Sequence, residues 1–264
     1  MDFSTLPDTA FIHPAGKNHR EIVALLTQVA TQIADHLANA ASQPPVPTVA
    51  TLPAIALPDD AVDFSVLLAQ ISHALATAMN PAHPGYLGHM DPLPTTASIV
   101  GDWVAAALNN NLLSVEMSPF FSRLEPLLLQ EIAQLFGLGD RAGGLLVSGG
   151  SLANLQALAV ARNAQLHCLE KGLTGRAKAP VFFVSAAAHT SFQKAAMLLG
   201  LGTQGAIAIP TNDQSQMAIP ALRQAIAAAA QAGQQPFALV ATAGTTVTGS
   251  IDPLGELGAI AREY

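Results

Sequence analysis

Apolar residues recur along this chain with two different periods, and the change from one to the other divides it. In the first stretch Ile22, Leu25, Leu26, Val29, Ile33 and Leu37 share one helical face, which predicts an amphipathic helix from about His19 to Ala40. Residues 42–60 carry five prolines and no period, so they read as an extended connector. Helical spacing returns in residues 63–79, where Leu67, Leu68, Ile71, Leu75 and Met79 are expected to face inward. Asn80–Pro94, with four prolines, two glycines and two histidines, reads as a structured loop. Two more helices are expected, from near Thr95 to about Asn109 and from Pro119 to Phe136, the second with proline in its first turn and Gly137 as its stop.

From residue 143 the pattern alternates. Leu145–Val147, Val181–Ser185, Ala206–Ile209 and Phe237–Thr242 are short apolar runs of strand length. Each is followed by helical spacing: from Leu152 to Arg162, Ser191–Leu199, Ile219–Ala232 behind Pro220, and Leu254–Tyr264. Strands alternating with helices predict an α/β domain with a mainly parallel sheet. Ligands of such sheets collect at the carboxyl ends of the strands. Ser148–Ser151, Ala186–Thr190 and Ala243–Thr246 all fall at such ends, so three polar clusters are expected on one edge.

The stretch Gly143–Arg162, GGLLVSGGSLANLQALAVAR, carries the strongest signal. It reads as a strand, a glycine turn and a helix with Ser151 as N-cap. Unpaired N–H groups and the helix dipole make such a turn an anion site, here a phosphate cup of Gly150, Ser151 and the Leu152 amide. An ordinary strand-to-helix turn has the same sequence appearance. His189, after a strand, can stack on a flat ring, act as a base, bind metal or serve as a hydrogen-bonded structural residue. Thr245 and Thr246 can bond a ligand's polar edge or simply form a turn.

Composition narrows the classes. Only 11% of the 264 residues are charged while half are hydrophobic, against about a quarter charged in an ordinary soluble domain. Such a chain is expected to bury surface against another subunit or further sequence. The net charge of −7 and scattered basic residues argue against a nucleic-acid surface or a polybasic membrane patch. A single cysteine, Cys168, excludes an internal disulfide and a cysteine metal cluster. The N-terminus lacks a signal-peptide pattern, and no apolar run is long enough to span a bilayer. His83 and His89 lack a usual zinc spacing, so no metal site is expected. The serine-hydrolase elbow, the dinucleotide fingerprint and the phosphate-loop lysine motif are all absent.

Five blocks in order are then informative together: HPGYLGHM, ALNNNLLSVEMSPFFSRLE, GGLLVSGGSLANLQALAVAR, SAAAHTSFQKAA and ATAGTTVTGSIDPL. Over about residues 80–264 the chain resembles the pyridoxal-phosphate-dependent amino-acid decarboxylases of the aromatic-amino-acid and glutamate decarboxylase type (group II). The resemblance implies an aspartate-aminotransferase-like α/β fold (pyridoxal-phosphate fold type I). Residues 1–80 would form a helical N-terminal arm with its proline-rich connector, and residues 81–264 the first part of the cofactor-binding large domain. It also implies pyridoxal 5'-phosphate as cofactor, an amino acid as substrate, loss of its α-carboxylate as CO2, a homodimer for the full-length protein and a cytoplasmic location. By position, Gly150 and Ser151 match the binders of the cofactor phosphate, His189 the catalytic histidine that stacks on the ring, and Thr246 the threonine near its substituents. The segment holding His83, Tyr86 and His89 resembles the loop that helps hold the substrate carboxylate.

One departure matters. This chemistry needs a Schiff-base lysine and an acid partner for the pyridine nitrogen, and in the family both follow the AGTT block. The four lysines here are Lys17, Lys171, Lys178 and Lys194, and none follows a histidine. The expectation is therefore an N-terminal portion of a decarboxylase, inactive alone. Another reaction on the same fold (transamination or β-elimination) and a non-catalytic role by association are the rivals. Aromatic acids, glutamate, aspartate and diaminobutyrate all remain open as substrates.

Overall fold

The computed structural model describes residues 7–47, 61–89 and 92–264. It divides into two compact units, Met1–Val104 and Ala105–Tyr264. The division falls inside a helix, whereas the sequence reading set the arm's end at residue 80.

The first unit contains α1 (His19–Ala38), a short 3-10 turn at Ala40–Ser42, α2 (Phe64–Thr77) and the start of α3 (Thr96–Leu108). α1 packs on α2, and Asn80, 4% exposed, fastens the following loop by donating to Ala40 O at 2.8 Å. The helices stand where the periodicity puts them, but their apolar faces are incompletely covered. Ile22 is the buried residue of α1, and α2 has none. Leu67 and Met79, expected to face inward, are 41% and 40% exposed, while Leu68, Ile71 and Leu75 are half-buried. Periodicity fixes which face is apolar; it does not supply the surface that covers it. Residues 48–60, most of the expected connector, lie outside the described residues.

The second unit is built on a three-stranded parallel sheet. Its elements are α4 (Phe121–Leu135), α5 (Gly150–Leu166), β1 (Pro180–Ser185), α6 (Ser191–Leu198), β2 (Ala206–Ile209), α7 (Ile219–Gln231), β3 (Gln235–Leu239) and α8 (Leu254–Glu263). The order is β2-β1-β3, with Phe182 opposite Ala206 and Phe183 opposite Leu239. The central strand β1 is covered on both faces, so it reads as a continuous apolar run. Phe182 and Val184 enter one core with Leu158 and Phe192 of α5 and α6. Val181 and Phe183 enter the other with Leu222, Ile226, Leu257 and Ile260 of α7 and α8. Alternation along β1 thus feeds two helix layers from one strand.

Two expectations about local structure fail. Leu145–Val147 is not a sheet strand: no described segment pairs with it, Leu145 and Leu146 are 53% and 60% exposed, and Leu146 N–H donates instead to Glu125 Oε1 at 2.8 Å. An extended run becomes a strand only when a neighbour takes its N–H and C=O groups. Ser151 is not an N-cap: α5 begins one residue earlier, and Gly149 occupies the cap with φ 107° and ψ 163° and no side-chain cap bond. β3 also starts and ends earlier than expected: Gln235 N–H already bonds Ala179 O at 2.8 Å, and at the far end Thr242 N–H is taken by Asp252 Oδ2 at 2.8 Å instead of a strand neighbour.

Arg176 ties the far end of this unit. Its guanidinium donates to Leu166 O, the last residue of α5, at 2.9 Å and to Gln235 Oε1 at 2.7 Å. A cation on a helix C-terminus complements its dipole. Arg176→Ala is expected to lower stability by about 1–2 kcal/mol, read as a fall in the urea midpoint. No change in that midpoint would show that the pair is unimportant. Among the described residues no helix is long and apolar enough to cross a membrane.

Candidate active site

The candidate residues of the second unit lie at the starts of α5 and α6 and in the loop after β3. At the start of α5, the positive φ of Gly149 turns the chain sharply into the helix, a conformation that is essentially restricted to glycine. Gly149 N–H bonds Val147 O at 2.8 Å. The next two N–H groups, of Gly150 and Ser151, have no partner among the described residues. Leu152, grouped with them on sequence grounds, has its N–H engaged by Gly149 O at 3.1 Å. The donors left free are therefore two, both exposed and both at the positive end of a 17-residue helix.

At the start of α6, His189 lies four residues past the end of β1 and is exposed. Its Nδ1 accepts the N–H of Ser191 at 3.2 Å. In the neutral ring the proton then sits on Nε2, which faces away from this contact. Ser191, 2% exposed, accepts a hydrogen bond at 2.9 Å from Asn154 Nδ2, which lies three residues beyond Ser151 on α5. Sequence reasoning missed Asn154 and Ser191. Their pairing spans 37 positions, and no local period signals it.

The third cluster is a folded loop. Thr245, 2% exposed, is consumed inside it: its hydroxyl shares bonds with Thr248 at 2.7 Å and Ser250 at 3.2 Å. Thr246 next to it is exposed, so of the two threonines it is the one with a hydroxyl open to a ligand. A second loop braces this one. Gln216 donates to Ile251 O at 2.8 Å and Ser250 to Ser215 O at 2.7 Å. The buried carboxylate of Asp252 accepts Met217 N–H at 2.7 Å and Thr242 N–H at 2.8 Å. Asp252 is thus a structural brace.

The structure links the starts of α5 and α6 directly, and it sets β1 and β3 side by side, so His189 and Thr246 follow neighbouring strand ends. His83, Tyr86 and His89 belong to the first unit. There His83 Nδ1 accepts Gly85 N–H at 2.9 Å, which leaves Nε2 free. Tyr86 is half-buried with its hydroxyl donating to Met79 Sδ at 3.1 Å, and His89 is exposed with φ 48°.

A phosphate suits the start of α5, and a flat polar ring suits the residues that follow β1 and β3, a combination used by α/β domains that hold a phosphate-bearing cofactor. Comparison with known proteins narrows that class. Residues 47–264 match the family described as the pyridoxal-dependent decarboxylase conserved domain, and the chain belongs to this family. It is 38% identical over 187 residues to a glutamate decarboxylase-like protein of Gibberella zeae, covering 70% of this chain and 36% of that protein. It is 35% identical over 206 residues to the L-2,4-diaminobutyrate decarboxylase of Rhizobium meliloti, covering 78% of this chain and 40% of the relative. The crystal structure of Oryza sativa TDC with PLP and tryptamine superposes with a TM-score of 0.81 at 25% identity, over 96% of this chain and 57% of that one. The fold is accordingly that of the fold type I pyridoxal-phosphate decarboxylases, as the sequence blocks imply. The chain spans less than half the length of these two curated relatives.

Pyridoxal phosphate is the family's cofactor, and the residues present fit it. Two unengaged N–H groups at a helix N-terminus suit a phosphate dianion, an exposed imidazole suits a pyridine ring, and a free hydroxyl suits its polar substituents.

Proposed function

We propose that this chain forms the cofactor-binding part of an amino-acid decarboxylase, a carboxy-lyase that releases the α-carboxylate of its substrate as CO2. The observation that carries the reading is the pair of N–H groups at Gly150 and Ser151 that follow the Gly149 turn and have no partner among the described residues, at the start of a helix whose Asn154 bonds Ser191, two residues past His189. When bound, pyridoxal phosphate supplies the electron sink for the pair left behind by the departing carboxylate. The chain's own residues hold and orient. Gly150 and Ser151 would donate to the phosphate. His189 would stack on the ring, with Nε2 as the nitrogen left to hold or pass a proton. Thr246 would donate its hydroxyl to a ring substituent. His83, Tyr86 and His89 are assigned to the substrate carboxylate on the resemblance of their loop alone.

The Schiff-base lysine is assigned to sequence beyond these 264 residues. All four lysines are exposed, and Lys194 sits on α6 three residues past Ser191. The active protein is taken to be a homodimer. The large exposed apolar side chains of α4, including Leu124, Leu127 and Leu128, supply surface for a partner or for further chain. The single, buried Cys168 suits a reducing compartment such as the cytoplasm.

Two measurements test the reading. The 264-residue chain is expected to bind pyridoxal phosphate reversibly, to give no lysine adduct after borohydride reduction, and to release no CO2 from any amino acid. A stable lysine adduct or CO2 release from the chain alone would refute the assignment of the lysine elsewhere. With a full-length protein, formation of an amine with CO2 supports decarboxylation, and a keto acid as product points to transamination instead.

A further inference from the structure

We propose that Asn154 is a positioning residue for His189, acting through Ser191, and that it couples the phosphate cup to the ring-stacking imidazole. The inference rests on the functional reading above. Its physical basis is a short relay that joins two helix starts. Asn154 is three residues beyond Ser151, so it lies on the same side of the first turns of α5 as the cup. Its Nδ2 donates to Ser191 Oγ at 2.9 Å. Ser191 is the first residue of α6 and only 2% exposed, and its own N–H donates to His189 Nδ1 at 3.2 Å.

Each link constrains the next. A buried hydroxyl held by an amide cannot drift without leaving a polar group unpaired. Ser191 is thereby fixed, and with it the direction of its N–H. That N–H keeps Nδ1 as the acceptor and leaves the proton on Nε2. The far ends of the same helices are tied as well, by Arg162 donating to Leu199 O at 3.0 Å. Two ties along one helix pair hold α6 in a single orientation against α5, so displacement of the first turn of α5 on anion binding is felt at His189. The bond to the buried serine could act as helix-to-helix glue alone. In that case its loss would lower stability without changing which imidazole nitrogen carries the proton.

The test uses the 15N-labelled chain and two readouts, the imidazole nitrogen shifts of His189 and the affinity for pyridoxal phosphate. In the wild type Nδ1 is expected to show an unprotonated, acceptor-type shift and Nε2 a protonated one. N154A and S191A are each expected to mix the two tautomers and to weaken cofactor binding by about three- to tenfold, the range of one lost hydrogen bond. The double variant should be no worse than the weaker single, because both act through one contact. N154D cannot donate to Ser191 Oγ as Asn154 Nδ2 does, but its carboxylate can accept the Ser191 hydroxyl proton, which keeps the link with its direction reversed. It should keep the wild-type imidazole signature while its charge weakens phosphate binding, and it keeps the test readable should alanine at 154 prevent folding. An unchanged tautomer in folded N154A, losses that add in the double variant, or a lost signature in N154D would each overturn the proposal. If the wild-type chain binds no cofactor while the imidazole series behaves as described, the functional reading falls and the positioning link stands.

Discussion

Replacing Asp252 with alanine is expected to cost about 3–5 kcal/mol of folding stability, the sum of two charge-assisted hydrogen bonds inside the protein. The carboxylate is 2% exposed and accepts two backbone N–H groups, from Met217 at 2.7 Å and Thr242 at 2.8 Å. Its own N–H returns to Thr242 O at 2.8 Å. Alanine would strand both donors in a closed environment where water does not replace the carboxylate. Asparagine has nearly the same shape but turns an amide nitrogen toward one donor, so Asp252→Asn should lose roughly half as much. Urea melts of the three proteins decide the matter. If both variants unfold within about 1 kcal/mol of wild type, the brace is not what holds the loop. The consequence for function follows from the same contacts. Asp252 and the Gln216 and Ser250 bonds fix the loop that carries Thr246, so cofactor affinity should fall in step with stability.

The second large effect is expected at Gly149. Its φ of 107° and ψ of 163° lie where a side chain is strained by about 1–3 kcal/mol. A Cβ there would touch nothing within 4 Å, so any failure of Gly149→Ala comes from backbone strain and not from crowding. To relieve that strain the peptide must rotate, which swings the Gly150 N–H out of the cup. Loss of one charge-assisted bond to phosphate corresponds to about a 10- to 100-fold weaker affinity for pyridoxal phosphate and for inorganic phosphate. Gly150→Ala is the contrasting variant. Its φ is not positive and its Cβ also meets open space, so alanine should leave the helix intact or firmer. Equal phosphate affinity in Gly149→Ala and wild type would remove the glycine turn from the account of binding.

Much of the fold is legible in the sequence alone. α1, α6, α7 and α8 begin at the residues their periodicity indicates, and β2 is found over the expected Ala206–Ile209. These segments have local signals: a repeat of apolar positions in the helices, a proline in the first turn of α7, and a short wholly apolar run in β2. The family was legible for a different reason. Five blocks in order are a pattern that no single turn or helix could produce. What failed depends either on a distant neighbour or on the residue at which a helix starts. Leu145–Val147 has the composition of a strand and lacks a partner among the described residues. Leu152 has the position of a phosphate donor, but its N–H is engaged by a carbonyl three residues back.

By itself, then, the sequence determined the order of the helices and of three of the four expected strands, their parallel α/β arrangement, the membership in the decarboxylase family, and the candidate residues for the cup, the ring and the rim. Those follow from periods of a few residues and from motifs, which are local properties of the chain. Only the tertiary structure decided which N–H groups remain free, which nitrogen of His189 is engaged, and that Thr246 rather than Thr245 offers its hydroxyl. It also decided that Asp252 braces a loop 35 positions away and that Asn154 reaches Ser191 across 37. The physical reason is that a hydrogen-bonding group has few partners: for Asp252 and Asn154 the one it meets depends on how separate elements pack, and for His189, Thr245 and the first N–H groups of α5 it depends on the backbone geometry of one turn, which residue types do not specify.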